Sequence, residues 1–234
     1  MKEEAISRWN RVIKLLGWGD VKSAKLWFIG LEESAAFESS RDFEALQKED
    51  FSAYSGCLGA KTPIYVIMSK IILGLQGENW RAMWRSYRDT KLFSKGSEAV
   101  QTNLYPLGKK KLTEWPKQYE EWFGISAEDY YNMVADGDNP RFKLIRERRK
   151  ECGSPLTVCF GSSAWEDFVK CLGLDHEVAK DIDGLFRFYV KEKVLLTPFF
   201  WSGGKNGISN VRIQRLIEAI NELGLNPFEP RSSV

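Results

Sequence analysis

Short apolar segments typical of buried strands alternate with helical segments along this chain of 234 residues. The strand segments lie at 25–30, 100–106, 156–161 and 193–197, with a shorter one at 186–189. Helical patterns cover 63–75, 126–150 (with a break at 137–140), 162–172 and 209–223. Because alternating strands and helices favour parallel strands covered by helices, the sequence predicts an α/β fold. We expect a three-layer sandwich with a central, mostly parallel four-stranded sheet flanked by helices.

The chain shows no internal repeat and no low-complexity linker, so we expect a single domain over 1–234. An N-terminal helix is predicted over 4–16, and a C-terminal tail over 224–234. The longest apolar runs are far too short to cross a bilayer, and the charged N-terminus has no signal-peptide pattern. We therefore expect a cytoplasmic monomer without a membrane partner.

Composition excludes several classes of protein. The 34 basic and 32 acidic residues leave a net charge of +2, so nucleic-acid binding would require a local patch. The four cysteines form no C-x-x-C pair, which disfavours zinc ribbons and iron–sulfur clusters and predicts reduced thiols. The single histidine, His176, lies in a polar stretch and is expected at the surface. No metal or cofactor is therefore expected.

Chemistry-bearing residues follow the predicted strands, where open α/β sheets bind their ligands. The first strand is followed by the carboxylates Glu32 and Glu33, the second ends near Asn103, and the third is followed by Ser162 and Ser163. No nucleophile elbow, phosphate-binding loop or dinucleotide-binding glycine pattern occurs at these ends.

These strand ends, in this order, resemble the motifs of the uracil-DNA glycosylase superfamily over about residues 20–222. The resemblance implies a glycosylase that flips a pyrimidine out of DNA. Glu32 takes the place of the Asp or Asn that positions the attacking water, and Asn103 that of the asparagine that reads the base edge. It also implies that Gly30 and Leu31 of the first motif and Thr197 of the last contact the base.

Two departures from the family pattern bear on the substrate. Thr197 stands where the best-known members have a histidine, and Glu33 replaces the usual proline of the first motif. Both positions stabilise and enclose uracil in the family. We therefore expect a modified pyrimidine, and a hypermodified cytosine of phage DNA, implying an anti-phage role, is one candidate.

The carboxylates suit the reaction that the resemblance implies. Breaking an N-glycosidic bond produces a cationic sugar, which a carboxylate stabilises while it accepts a proton from water. Glu32 or Glu33 could do this, and repulsion between the two would raise one pKa. Alternatively, both acids cap the following helix, and Asn103 is a strand-end turn residue. Tyr54 is the candidate for stacking on the base.

Residues near the later strand ends form a candidate DNA surface. They combine cations, small hydroxyl residues and an aromatic tip, which suits phosphates and a base stack. The set is Lys109, Ser162, Ser163, Phe199, Phe200, Trp201, Ser202, Gly203, Lys205 and Asn206. Core packing explains residues 199–201 equally well. The run 141–150, with six basic residues and one acid, is either a DNA-flanking helix or a solvated helix face.

Two other functions remain open from the sequence. One is a non-catalytic nucleic-acid-binding module on the same fold, and the other is a hydrolase of free nucleosides or nucleotides. The fold alone does not choose among them.

Overall fold

One mixed sheet organises the part of the chain that the computed structural model describes, residues 10, 12–14, 17–32, 63–94, 96–109, 114–124, 126–135, 140–201 and 207–229. Its strands are β1 (Trp18–Gly19), β2 (Leu26–Gly30), β3 (Ala99–Asn103), β4 (Leu156–Phe160), β5 (Lys180–Ile182), β6 (Phe186–Tyr189) and β7 (Val194–Thr197). They lie in the order β1-β3-β2-β4-β7-β6-β5.

The centre of the sheet is parallel and its edges are antiparallel. Strands β3, β2, β4 and β7 run in the same direction, whereas β1 pairs antiparallel at one edge and β6 and β5 do so at the other. The α/β class is thus confirmed, but the sheet has seven strands where the sequence predicted four. Strand β1 has only two residues, and β5 exposes Lys180 and Asp181, so neither carries the apolar run of a buried strand.

Seven α-helices connect the strands of the described residues. They are α1 (Pro63–Leu75), α2 (Trp80–Thr90), α3 (Lys117–Phe123), α4 (Ala127–Ala135), α5 (Pro140–Glu151), α6 (Trp165–Leu172) and α7 (Asn210–Glu222). Helices α2 and α3 were not predicted. In α2 only Trp80 is fully buried, so the sequence lacks a wide apolar stripe, although Asn79 caps the helix by accepting a hydrogen bond from the Ala82 amide.

Two apolar clusters, one on each face of the sheet, produce the three layers. Side chains alternate along β2, where Trp27 and Ile29 join the cluster under α3 to α6. Leu26 and Phe28 point to the opposite cluster, which α1 and α7 cover. Burial on both faces explains why β2, β4 and β7 are mainly apolar, whereas β3 buries the polar residues 101–103 at its carboxyl end.

The two ends of the chain are described in part. Residues 10, 12 and 13 are helical, and the rest of the predicted helix 4–16, apart from residue 14, lies outside the described residues. Residues 224–229 of the predicted tail pack on the domain, where the Asn226 side-chain amide donates to the Leu75 carbonyl at 2.8 Å. Within the described ranges, no helix has the length and apolar character needed to cross a membrane.

Candidate active site

The carboxyl ends of the four parallel strands meet at one edge of the sheet. Gly30 at the end of β2 lies beside Asn103 at the end of β3, and Phe160 of β4 lies beside Thr197 of β7. The strand ends that the sequence singled out are therefore neighbours in space.

Backbone hydrogen bonds join the segments after β2 and β3. The Leu104 amide donates to the Gly30 carbonyl at 3.0 Å, and the Tyr105 amide donates to the Leu31 carbonyl at 2.8 Å. These bonds extend the pairing beyond the strands. They fix where Glu32 emerges relative to the segment that leads to Lys109.

Two tyrosines hold the segment after β3 in place. The Leu107 amide donates to the Tyr130 hydroxyl at 3.1 Å, and the Tyr119 hydroxyl donates to the Gly108 carbonyl at 2.6 Å. Both rings are fully buried. Buried side chains that satisfy loop backbone groups restrict the loop to one conformation, so Lys109 is positioned by α3 and α4.

Glu32 and Lys109 form a buried ion pair at this edge. The Lys109 Nζ lies 3.3 Å from the Glu32 Oε2, and the two side chains are only 1% and 7% exposed, respectively. The ammonium also lies 4.4 Å from the centre of the Tyr131 ring. Apart from Lys109, no group among the described residues donates a hydrogen bond to Oε2.

Burial sets the protonation behaviour of Glu32. Loss of solvent raises the pKa of its carboxyl from 4.5 to about 7, and the charge of Lys109 and its hydrogen bond only partly oppose this rise. The separation of 3.3 Å exceeds that of a strong charge-assisted hydrogen bond, which explains why one cation does not offset the burial. Glu32 can therefore exchange a proton near neutral pH.

Asn103 lies beside Gly30 at the same edge. Its side chain is nearly buried, and its Oδ1 accepts a hydrogen bond from the Gln101 amide at 3.3 Å. A Cβ at position 30 would come within 2.6 Å of that Oδ1 and 2.8 Å of the Phe160 ring. Only glycine at the end of β2 leaves space for the amide, which explains the glycine of the first motif.

The basic run 141–150 is divided between two roles: Lys143, Arg148 and Lys150 lie on an exposed helix face, whereas the other three basic residues hold the fold together. Arg141 is 1% exposed and donates to the carbonyls of Asn103 (2.6 Å) and Ile13 (3.0 Å). Arg146 and Arg149 also donate to backbone carbonyls of other segments. Arg141 is thus no DNA contact. Burial lowers its pKa to about 10, which keeps it charged at neutral pH.

We expect the Arg141→Met variant to lose about 2–4 kcal/mol of unfolding free energy, because buried carbonyls at the end of β3 lose their donor. Urea denaturation measures the loss. Lys143→Met, on the exposed side of the same helix, is the matched control and should cost less than about 0.5 kcal/mol. Equal losses in the two variants would contradict the anchoring role.

Three predicted contact residues have other places in the structure. Lys109, expected at a phosphate, is buried against Glu32. Thr197, expected at the base, is fully buried with its hydroxyl on the carbonyls of Cys159 and Pro198. Phe200, expected at the aromatic tip, stacks on Phe160 with ring centres 4.6 Å apart. Burial removes all three from direct contact with DNA, so core packing accounts for Phe200.

Four other members of the candidate DNA surface lie among the described residues and are exposed. Ser162 and Ser163 begin the short 3-10 helix that leads from β4 into α6. Phe199 and Trp201, on either side of Phe200, are 41% and 53% exposed. An isolated bridge between Phe199 and Gly207 and a hydrogen bond from the Ile208 amide to the Trp201 carbonyl hold this aromatic tip.

Several predicted site residues lie outside the described residues. They are Glu33, Tyr54, Ser202, Gly203, Lys205 and Asn206. Leu31 is described and is partly buried, with its side chain packed on the cluster under α3 to α6. His176 is exposed in a short 3-10 helix, 3.4 Å from Glu166, so the expectation of a surface histidine is confirmed.

An aromatic cluster reaches the ion pair through Tyr131, and its members were not among the predicted site residues. Tyr119, Tyr130 and Tyr131 come from α3 and α4 and form successive ring contacts with Trp115 and Tyr105. The dense aromatic content of residues 115–131 was the available signal. It indicated a buried cluster but not that this cluster lies against Glu32.

A cavity of about 520 Å³ lies elsewhere, between α1, α2 and the residues that precede β3. Its lining includes Gln76, Tyr87 and Glu98. Because Glu98 directly precedes β3, this cavity is at the amino end of that strand, opposite the edge where Glu32 lies. It takes no part in the candidate site.

Acidic, histidine and cysteine side chains are the usual protein ligands of metal ions. Among the residues whose positions are described, no three of them are placed to hold a metal ion. Cys152, Cys159 and Cys171 are free thiols, and Cys57 lies outside the described residues. No protein-family model, no curated protein and no solved structure matches this chain.

Proposed function

We propose that this protein is a monofunctional DNA glycosylase that hydrolyses the N-glycosidic bond of a flipped-out, modified pyrimidine and leaves an abasic site. The proposal rests on the position and protonation behaviour of Glu32. A carboxyl buried at the carboxyl edge of a parallel sheet, with a pKa near 7, suits a general base at neutral pH. The order of the strand-end motifs, similar to that of the uracil-DNA glycosylase superfamily, supports the same reaction.

In the proposed reaction, the bond between C1′ of the sugar and the base nitrogen breaks first, and the base leaves with the bonding electrons. The ionised Glu32 stabilises the cationic sugar and accepts a proton from water as the water oxygen bonds to C1′. The base anion then takes up a proton. Lys109 does not touch the sugar in this scheme; its charge favours the ionised form of Glu32.

Asn103 is the proposed reader of the base edge. An amide offers both a donor and an acceptor, which a pyrimidine edge requires. The hydrogen bond from Gln101 fixes the orientation of this amide, and Arg141 holds its backbone carbonyl. A fixed amide distinguishes bases better than a mobile one, because a mismatched edge leaves buried polar groups without partners.

The exposed aromatic tip and the serines after β4 are the proposed DNA contacts. Phe199 and Trp201 can occupy the gap in the stack that the flipped base leaves, as apolar wedges do in other DNA-binding proteins. Ser162 and Ser163 precede α6, and hydroxyl and amide groups at such a position suit a phosphate.

An abasic-site assay on the purified full chain tests the proposal. The substrates are oligonucleotides with uracil, a thymine mismatch, hydroxymethylcytosine or glucosylated hydroxymethylcytosine, cleaved by alkali after incubation. We expect strand breaks at one modified pyrimidine, with uracil released more slowly. Released base identified by mass spectrometry distinguishes hydrolysis from backbone cleavage.

Two results would overturn the glycosylase proposal. Binding of every oligonucleotide with no strand breaks would favour the non-catalytic binding module. Hydrolysis of free nucleosides, with no salt-dependent binding of DNA, would favour the nucleoside hydrolase.

A further inference from the structure

Helix α2 carries two parallel stripes of side chains that the proposed reaction does not use. Trp80, Trp84 and Tyr87 follow the spacing i, i+4, i+7, and three arginines follow the same spacing one residue later. The arginines are Arg81, Arg85 and Arg88. Residues at this spacing share one face of a helix, so an aromatic stripe and a cationic stripe lie side by side.

The cations of this surface stack on its indole rings. The Arg81 guanidinium lies 4.5 Å from the centre of the Trp80 ring, and those of Arg85 and Arg88 lie 5.3 Å and 5.4 Å from the Trp84 ring. From α1, the Lys70 ammonium lies 5.6 Å from each of the two rings. Stacking holds the guanidinium groups in place and so lowers the entropy lost on binding an anion.

Positive charge dominates this surface. Asp89, which pairs with Arg88 at 2.7 Å, is the acid within α2. Partial burial lowers the pKa of Lys70, and repulsion from the nearby charge of Arg81 lowers it further. An anion brought to this surface would relieve that repulsion.

The surface extends toward the edge of the sheet that holds Glu32. The Lys70 Nζ donates to the Asn210 Oδ1 at 2.9 Å, and Asn210 begins α7. The segment before α7 comes from the carboxyl end of β7, where Phe199 and Trp201 lie. A nucleic-acid strand that contacts the aromatic tip could therefore continue along α2.

We propose that Lys70, Arg81, Arg85 and Arg88, stacked on Trp80 and Trp84, form a second contact surface for the phosphate backbone of DNA. This inference rests on the proposed DNA partner but not on the chemistry at Glu32. Arginine supplies bidentate hydrogen bonds to phosphate, and the surface offers no direct contact to a base edge. It therefore adds affinity and register without sequence specificity.

A nucleic acid fits this surface better than an anionic membrane does. Helices that bind a bilayer expose a wide apolar face to it. In α2, Trp80 is buried and Trp84 half-buried against the core, which leaves Met83 as the exposed large apolar side chain of the helix. The apolar stripe is thus already occupied by the protein itself.

Salt-dependent DNA binding by the full chain tests this inference. Fluorescence anisotropy with a 30-base-pair duplex gives the slope of log binding constant against log salt. This slope is negative, and each lost phosphate contact reduces its magnitude by about 0.9, so Arg81→Gln/Arg85→Gln should reduce the magnitude by about 2. Lys143→Gln/Lys191→Gln, which removes two exposed cations elsewhere, should leave it unchanged. Arg81→Lys/Arg85→Lys, which preserves charge, should retain most of the salt slope. Thermal melting of each variant checks that it is folded.

Three results would overturn the inference. The first is an equal salt slope for wild type and Arg81→Gln/Arg85→Gln. The second is an equal fall in the magnitude of the slope for the control Lys143→Gln/Lys191→Gln. The third is arginine-dependent binding of phosphatidylserine vesicles without any effect of the arginines on DNA binding. Failure of the proposed function is distinguishable. If the proposed function fails, no base is released at saturating DNA although the arginine-dependent salt slope is present. If this inference fails, the salt slope does not depend on the arginines and base release is intact.

Discussion

Replacing Glu32 with glutamine is expected to lower base release by about 10²–10⁴-fold, the usual contribution of a general base. Glutamine keeps the size of the side chain but can neither accept a proton from water nor balance a cationic sugar. Single-turnover cleavage at saturating DNA measures the change. Because the loss concerns the reaction step, we expect the DNA dissociation constant to stay within about threefold of wild type, which corresponds to less than 1 kcal/mol.

Glu147→Gln is the matched control for this experiment, since Glu147 is exposed on α5 and pairs only loosely with Lys143 at 4.0 Å. It should leave base release unchanged. Base release that persists in Glu32→Gln at the wild-type rate would move the general base elsewhere, with Glu33 the first alternative. A variant that no longer binds DNA would show instead that Glu32 is needed for the fold of the site, so urea denaturation accompanies the assay.

The pH dependence of base release gives the second large effect. The carboxyl of Glu32 has a pKa of about 7 and acts in its ionised form, so the rate should rise about tenfold per pH unit below 7 and level off above it. Removing the neighbouring cation in Lys109→Gln should raise the pKa of Glu32 further, by about one to three units for an opposite charge at this distance. The rise in rate then moves to higher pH.

The direction of this shift separates two roles for Lys109. If Lys109 acts through Glu32, the variant loses rate at pH 6.5 and recovers most of it at high pH. If Lys109 instead contacts the substrate, the rate falls by the same factor at every pH. An unchanged profile would contradict the assignment of the pKa of about 7 to Glu32. Lys117→Gln, which removes an exposed cation at the start of α3, serves as the control for the change in charge.

Local patterns predicted the framework of the fold well. The central strands are buried on both faces, and β2, β4 and β7 appear in the sequence as mainly apolar runs. Strand β3 is also buried, although it ends in Gln101, Thr102 and Asn103. The edge strands β1 and β5 lack that pattern and were missed. Helix α2 was missed for a related reason: its aromatic stripe packs on the core, but arginines and exposed residues dominate its composition. The repeat of tryptophan followed by arginine at 80–81 and 84–85 is the sequence signal that indicates this stripe.

The candidate site was predicted in its position and less well in its details. Glu32 and Asn103 lie at the strand ends because the carboxyl ends of parallel strands share one edge, which the order of strands and helices already implies. The environment of Lys109 differs from the prediction, because Lys109 is buried against Glu32. A lysine close to glycines and other lysines in the sequence indicates a surface cation. Whether a lysine is buried depends on what packs over it, and Tyr131 of α4 is not a neighbour in sequence.

The sequence by itself determined the α/β class, the central strand segments and the polar residues at their ends, because these depend on hydrophobic periodicity and on direct succession along the chain. Tertiary structure alone decided the buried pair of Glu32 and Lys109 and the anchoring of β3 by Arg141. Each of these depends on desolvation by segments distant in sequence. Such burial, which raises the pKa of Glu32 to about 7, has no signature in local composition.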